Sequence, residues 1–339
     1  MFCGALLFLL CSCGMTGIGS KNILRALYVE RIGTGYYLEL ICFQSVPAAD
    51  TSEVHETVQL IEGKGETIFD ALEDAENSRG EETFYGQNEL LLIGPNLAEE
   101  GPFEATDFMV KQESGRPNTE VYVVNLPLVE LQNSSEQLSE LVDSIELLRN
   151  QGAYHCALYQ LAGMQNALVP ILHLDTEAVS AVQSGAVLYQ DGLPAVHWDA
   201  QQTQLAQLLM GQTRQMCFEA KVDQDITFQV DSTGVTYTVK ETKAGPMLHV
   251  TLRGHIRQIH TEQGAQPPQN DAVFMVKLNQ WMETMGKELI AESFEKKNDV
   301  FLFSSRLKNY SAKKVEQLEV QGALYQQKRV IFHSAMSTL

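Results

Sequence analysis

Between Arg214 and Gln258 the chain reads as strand after strand with no helix among them, and that run sets the class of fold. The segments "QMCFEAKV", "DITFQV", "VTYTVKE" and "MLHVTLRGHIRQ" are rich in β-branched and aromatic residues and alternate as half-buried strands do. A helix of about 24 residues is expected next, because Phe274, Leu278, Trp281, Met285 and Leu289 recur at steps of three and four. A last strand is read in "LEVQGALYQQKRVIF", where Leu318, Val320, Gly322 and Leu324 alternate. Several antiparallel strands followed by one long helix make an α+β domain whose sheet is covered on one face.

The first half repeats the mixture in another order. "YYLELICFQSV" and "VHETVQLIE" read as strands, and Gly63-Lys64-Gly65 as the turn that follows them. Thr67 and Asp70 form a capping box for a helix with Ile68, Leu72 and Ala75 on one face, ended by Gly80. "ELLLIG" and "TEVYVVN" are short strands flanking an acidic helix near Phe103 to Gln112. A further helix, capped by Ser134 and Gln137, carries Leu138, Leu141, Val142, Ile145 and Leu148 and ends near Gly152. Asp191-Gly192 inside "GAVLYQDGLPAVHW" signals a hairpin, and Asp199 with Gln202 caps a helix through Leu205, Leu208 and Leu209.

With 339 residues the chain is longer than a single core usually organises. The expected architecture is multi-domain α+β, with mostly antiparallel sheets packed against helices. Its divisions are a signal peptide over 1–12, a linker over 13–27 and an N-terminal α+β domain over 28–182. A hairpin-plus-helix connecting region over 183–212 leads to a C-terminal α+β domain over 213–335.

The opening has a different character. No charge precedes Lys21, yet Ser12, Gly14, Thr16, Gly17, Gly19 and Ser20 dilute the apolar run to the length of a signal-peptide core rather than a membrane span. Leu10-Cys11-Ser12-Cys13 has the layout of a bacterial lipobox. Cleavage before Cys13, with a diacylglyceryl group on its sulfur, would supply the two acyl chains that stable anchoring requires. Left uncleaved, the same stretch would serve as an N-terminal anchor on the same membrane face. Cys42, Cys156 and Cys217 then remain as three thiols in apolar settings, expected as buried small hydrophobes with no paired framework.

Charge excludes one class of partner. The formal net charge of −19 repels nucleic acid and anionic lipid alike. The excess is uneven: residues 50–150 hold 23 acidic against 5 basic side chains, whereas 296–339 hold 3 against 8. An acidic solvated face accounts for the first. The basic set Lys296, Lys297, Arg306, Lys308, Lys313 and Lys314 raises a sharper expectation, that this region faces a membrane or an acidic partner.

Four motifs in order, "GKGETIFDALEDAENSRGEETFYGQNELLLIG", "ATDFMVKQ", "GAVLYQDGLPAVHWDAQQTQLAQLLMG" and "KNDVFLF", behind a lipobox, resemble the Ger(x)C family of spore germination lipoproteins, the C subunits of germinant receptors. The resemblance spans about Tyr28 to Val330. It implies lipidation at Cys13 and matches Thr67, Ala71, Gly94, Asp107, Phe108, Gly185 and Asp299 to family positions of structural character. "GMTGIGSKN" replaces the Trp-Asp and basic residues that often follow the family's cysteine, and the stretch after "NDVFLF" is short. The implied function is that of a non-enzymatic subunit on the outer face of the spore inner membrane. Its partners there would be a transporter-like A subunit and a membrane B subunit, in the response to nutrient germinants.

Residues that could carry chemistry are few and scattered. His249, Arg253, His255 and Arg257 share one parity of a strand, opposite Leu248, Val250, Leu252 and Ile256, with His260 off that register. No carboxylate or cysteine joins them, so they read as a solvated face rather than metal ligands. Ser-x-x-Lys occurs three times, at Ser293, Ser305 and Ser311, without companion motifs. "EGKGET" lacks the Gly-Lys-Ser/Thr ending of a phosphate loop. No catalytic residue, cofactor or metal is expected. The competing reading is an exported surface hydrolase that uses a carboxylate pair, since such pairs are defined in space and not in sequence.

Overall fold

The computed structural model describes residues 21–338 apart from 48–53, 113, 132–134, 151–152, 154, 162–165, 176, 223, 262–271 and 327–328. Cys13, Ser134 and Gly152 lie outside the described residues.

Continuous apolar runs form the middle of a ten-stranded sheet. Strands β1 (Asn22–Ile32), β2 (Gly35–Pro47) and β3 (Val54–Gly65) make an antiparallel meander. After helix α1 (Ile68–Arg79) and the two-residue β4 (Thr83–Phe84), β5 (Leu90–Ile93) pairs parallel to β1. Helices α2 (Pro95–Glu100) and α3 (Phe103–Val110) lead to β6 (Glu120–Val124), parallel to β5. Every residue of β5 and β6 is buried, as expected of strands with both faces covered. Then come α4 (Ser135–Asn150), β7 (Cys156–Ala157), α5 (Leu158–Leu161), β8 (Ala167–Asp175), β9 (Ser180–Gln190) and β10 (Leu193–Asp199). The sheet order is β10-β9-β8-β6-β5-β1-β2-β3, so its centre is parallel and both wings are antiparallel. Leu27, Val29, Leu38 and Leu40 face α1, α2, α3 and α5 on one side. Ala26, Tyr28, Tyr37 and Ile41 face the Leu138, Leu141, Val142 and Ile145 stripe of α4 on the other.

Helix α6 (Ala200–Met210) passes the chain to a four-stranded sheet of β11 (Gln215–Val222), β12 (Gln224–Thr242), β13 (Gly245–Thr261) and β14 (Val330–Thr338). Between the last two strands run α7 (Ala272–Glu295) and α8 (Phe303–Val320). Trp281 of α7 meets the rings of Phe218 and Phe228 edge-on at 6.2 and 5.8 Å, so the long helix covers this sheet as expected. The α+β class with two sheets and packed helices is borne out.

The capping boxes at Thr67/Asp70 and Asp199/Gln202 are both formed, and Gly80 ends α1 in the left-handed conformation. Asp191 (φ 50°) and Gly192 (φ 84°) turn the β9–β10 hairpin as Asp-Gly pairs do. That hairpin is the edge of the first sheet, and β1 begins at Asn22, inside the stretch expected as a linker.

Four local expectations are corrected. "LEVQGALY" is not a strand: α8 runs through Val320, and the strand starts at Val330. Leu307, Val315 and Leu318 keep helical spacing across a kink at Ser311 (φ −157°, ψ 93°), and the alternation of Leu318, Val320, Gly322 and Leu324 is accidental, since Val320 and Gly322 are exposed. Gly63-Lys64-Gly65 is not a turn but the end of β3. A Cβ on Gly63 would lie 2.0 Å from the Ala71 carbonyl oxygen, so these glycines let α1 press onto the strand. "DITFQV" and "VTYTVKE" are one strand, bent by bulges at Gln229/Val230 and Ser232/Gly234. Cys217 is exposed, because the alternation of β11 turns Met216, Phe218 and Ala220 inward, whereas Cys42 and Cys156 are buried as expected.

Gly185 shows how tightly the hairpin is built. A Cβ there would sit 2.1 Å from the Trp198 carbonyl oxygen on the paired strand. Gly185→Ala is expected to destabilise the protein by about 2–3 kcal/mol, the usual scale of overpacking, read as a lower urea midpoint at unchanged slope.

Candidate functional site

The segment "KNDVFLF" folds as the turn between α7 and α8, and it is where the two sheets meet. Its backbone is unusual at both ends: Lys297 (φ 54°) and Leu302 (φ 56°) occupy the left-handed region that L side chains avoid. Hydrogen bonds within the segment, and one to a distant strand, hold it there. The Ser293 hydroxyl donates to the Asn298 carbonyl, and Asn298 Nδ2 donates to the Tyr189 carbonyl of β9 at 2.7 Å. Asp299 accepts from the Phe303 and Ser304 amides at 2.6 and 2.7 Å and from the Ser304 hydroxyl, closing the first turn of α8. Burial pushes the Asp299 carboxyl above its ordinary range, while those three donors pull the other way.

Phe301 is the aromatic centre of this junction. It stacks on Trp198 of β10 at 6.0 Å and on Phe303 at 5.1 Å, and Trp198 Nε1 donates to Glu292 of α7 at 2.9 Å. Leu168, Ala186, Leu188 and Trp198 from the first sheet therefore share one core with the second sheet, α7 and α8. Beside it opens a cleft of about 600 Å³, walled by α5 and β8 on one side and the α7–α8 turn on the other. Arg306 lies on its wall with the guanidinium 3.6 Å from the Tyr237 ring centre, and Tyr237 donates to the Leu209 carbonyl at 2.6 Å.

A second polar group sits inside the first sheet. Glu39 is fully buried and accepts from the amides of Leu128 (2.5 Å) and Val129 (3.1 Å). Tyr37 Oη lies 2.8 Å from Glu39 and 2.7 Å from Glu62. One phenol carries one proton, so it serves both carboxylates only if one of them is itself protonated. Burial pushes Glu39 up to about 7, against the pull of Tyr37 and the two amides. Tyr37 and Tyr28 are driven upward as well, chiefly by burial. Glu30 plays a similar part at α2, accepting from the Leu97 amide at 3.0 Å and the Arg31 amide at 2.7 Å. These carboxylates seal the starts of helical turns within a closed core.

The other sequence candidates disperse. His249, Arg253, His255 and Arg257 do share the outer side of β13, but each meets a neighbour or solvent rather than converging. His249 stacks on His333 at 6.2 Å, His255 Nδ1 lies 2.9 Å from the Ser337 hydroxyl, and Arg257 pairs with Asp231. The bulge restores His260 to the exposed side, with Ile259 inward. Among the described residues no three or more His, Cys, Asp or Glu side chains gather as a metal would require. Of the Ser-x-x-Lys pairs, Ser293 is buried and bonded to backbone, Lys308 pairs with Glu319, and Lys314 with Glu241.

The family positions are structural. Thr67 caps α1, Ala71 lies against Gly63, and Phe108 packs on the first core. A Cβ on Gly94 would strike the Tyr28 hydroxyl and the Glu30 carboxylate, and Asp107 is exposed. Sequence reasoning missed Glu39 and Trp198–Phe301. A lone Glu inside the apolar run Tyr36–Cys42 was the available signal for the first; the second had none, because its partners lie far apart in the chain.

Two sheets thus share one aromatic junction, and the acids Glu39, Glu30 and Asp299 accept from backbone amides. The crystal structure of the GerBC protein superimposes with a TM-score of 0.53 over 94% of this chain and 98% of that one, at 11% identity, so the two share a fold. No curated protein matches in sequence. Residues 25–160 match the spore germination protein N-terminal domain. The chain therefore carries a GerAC-like spore germination domain over residues 25–160 and shares the GerBC fold along its length. No helix among its described residues is long and apolar enough to cross a membrane.

Proposed function

We propose that this protein is the C subunit of a spore germinant receptor, anchored by lipid on Cys13 at the outer face of the spore inner membrane. It acts by docking with the A and B membrane subunits and not by catalysis. The observation that carries this reading is the match of residues 25–160 to the spore germination domain. Two features support it: the lipobox ahead of β1, and the use of buried carboxylates as caps instead of as a solvent-facing pair. Two acyl chains supply membrane residence that a chain of net charge −19 does not obtain by attraction to anionic lipid.

Cys13→Ala is expected to move the protein from the membrane fraction to soluble or unprocessed forms and to abolish the nutrient response. A processed, membrane-bound Cys13→Ala product would refute the anchor. Purification of the native complex tests the docking role, which requires two polytopic subunits to accompany this chain; their absence would refute it.

A further inference from the structure

The cleft beside the α7–α8 turn has features that packing does not explain. Leu302 is held in a left-handed backbone conformation that costs a Leu about 1–2 kcal/mol, yet its side chain is 61% exposed and gains no burial in return. Across the opening Tyr159 is 56% exposed, so two large apolar side chains flank the mouth. The floor is apolar, with Leu168, Met210 and Phe301.

Charge is distributed with equal bias. Lys297 and Arg306 line the cleft, and neither is paired with a carboxylate among the described residues. The single acid in the lining, Asp299, has its oxygens turned to the start of α8. A chain with net charge −19 thus keeps two cations at an apolar mouth and commits the one acid of the described lining elsewhere. The volume, about 600 Å³, lies within the span of small-molecule sites, and the position between two structural units is where such sites concentrate.

We propose that this cleft binds an amphipathic monoanion: an apolar body against Leu302, Tyr159 and Met210, with one carboxylate or phosphate head held by Lys297 and Arg306. The ligand touches both units, so its binding ties the first sheet to the α7–α8 turn and stabilises the junction by mass action. This does not depend on the receptor reading; a chain with no receptor partners would bind the same class of molecule. The head group could belong to a free acid or to a lipid, and the test separates the two.

The full chain in phosphatidylcholine nanodiscs is titrated with 3-phenylpropionate, with 3-phenylpropanol and with inorganic phosphate, following the fluorescence of Trp198 beside the cleft. Saturable binding of the acid with Kd of about 0.1 mM is expected, about tenfold tighter than the alcohol, with no response to phosphate alone. Lys297→Gln should weaken it about tenfold at an unchanged unfolding midpoint, and Leu302→Asp should remove it without lowering the midpoint, because Asp tolerates the left-handed backbone better than Leu does. In a second arm, phosphatidylglycerol nanodiscs without added acid should leave the signal unmoved if the ligand is a free acid. A shift there that Lys297→Gln cancels would instead identify a lipid head as the natural source. Equal binding of alcohol and acid, full binding by Lys297→Gln and Leu302→Asp, or no saturable response in either arm would overturn the proposal.

Discussion

Trp198→Ala is expected to destabilise the protein by about 4 kcal/mol and to split its unfolding into two transitions. The side chain is 2% exposed at the end of β10, and loss of so large a buried aromatic group typically costs about 3–5 kcal/mol. Two further losses fall on the same site. The stack on Phe301 disappears, worth about 0.5–1.5 kcal/mol beyond area, and Glu292 loses its indole donor. The damage is directional, because Trp198 belongs to the first sheet and both partners belong to the α7–α8 arm of the second. Weakening that contact removes the coupling that makes two units melt as one. Trp198→Phe keeps a ring over Phe301 but forfeits the N–H and part of the buried volume, so about 2 kcal/mol is expected with a single transition. Urea unfolding followed by circular dichroism separates these outcomes, and a Trp198→Ala variant within 1 kcal/mol of the parent would show that the junction is not where the units are joined.

How much of this was legible beforehand depended on how far apart the interacting residues lie. Thr67 and Asp70, Asp199 and Gln202, and Asp191 and Gly192 act on their immediate neighbours, and each does in the structure what its spacing implies. The 24-residue helix was equally plain, since its apolar stripe repeats within the segment itself. Reading failed where a chance alternation disguised the period. Leu318, Val320, Gly322 and Leu324 happen to alternate where α8 ends, although Val320 is exposed, and a helix end passed for a strand. It failed again where the reason for a residue lies elsewhere in the chain. Gly63 is small because Ala71 approaches it, and Asn298 matters because Tyr189, 109 positions earlier, offers a carbonyl. Pattern identifies which face of an element is apolar; it carries no information about which distant element will meet that face. The cleft belongs to that second kind of fact, assembled from α5, β8 and the α7–α8 turn.

Glu39 makes the other large prediction, because its environment works against its charge. The carboxyl is raised to about 7 from an ordinary 4.5, so the folded protein keeps a proton there that the unfolded chain has already released. Between those two values the unfolded state binds fewer protons than the folded one, and stability falls as pH rises. The contribution is present in full below about pH 4.5 and gone above about pH 7, and it amounts to about 3 kcal/mol at 1.36 kcal/mol per pKa unit. Glu39→Gln is neutral at every pH like the protonated acid: its amide N–H₂ can take the Oε1 place and donate to Tyr37 while its oxygen accepts from Leu128, and the Val129 amide, which donates to that same Oε1, loses its acceptor. The variant should therefore lie about 1 kcal/mol below the parent near pH 4.5, for the lost Val129 bond, and about 2 kcal/mol above it at pH 8, with most of the crossing between pH 5 and 7. Glu39→Ala behaves differently, since two buried amides and a phenol lose their partner at every pH, and about 3 kcal/mol or more should be lost throughout. Denaturant titrations of the three proteins at pH 4.5, 6 and 8 discriminate the cases. Parallel pH curves for Glu39→Gln and the parent would mean that Glu39 is charged in the folded protein, and that Tyr37 gives its proton to Glu39 while Glu62 takes donors from solvent.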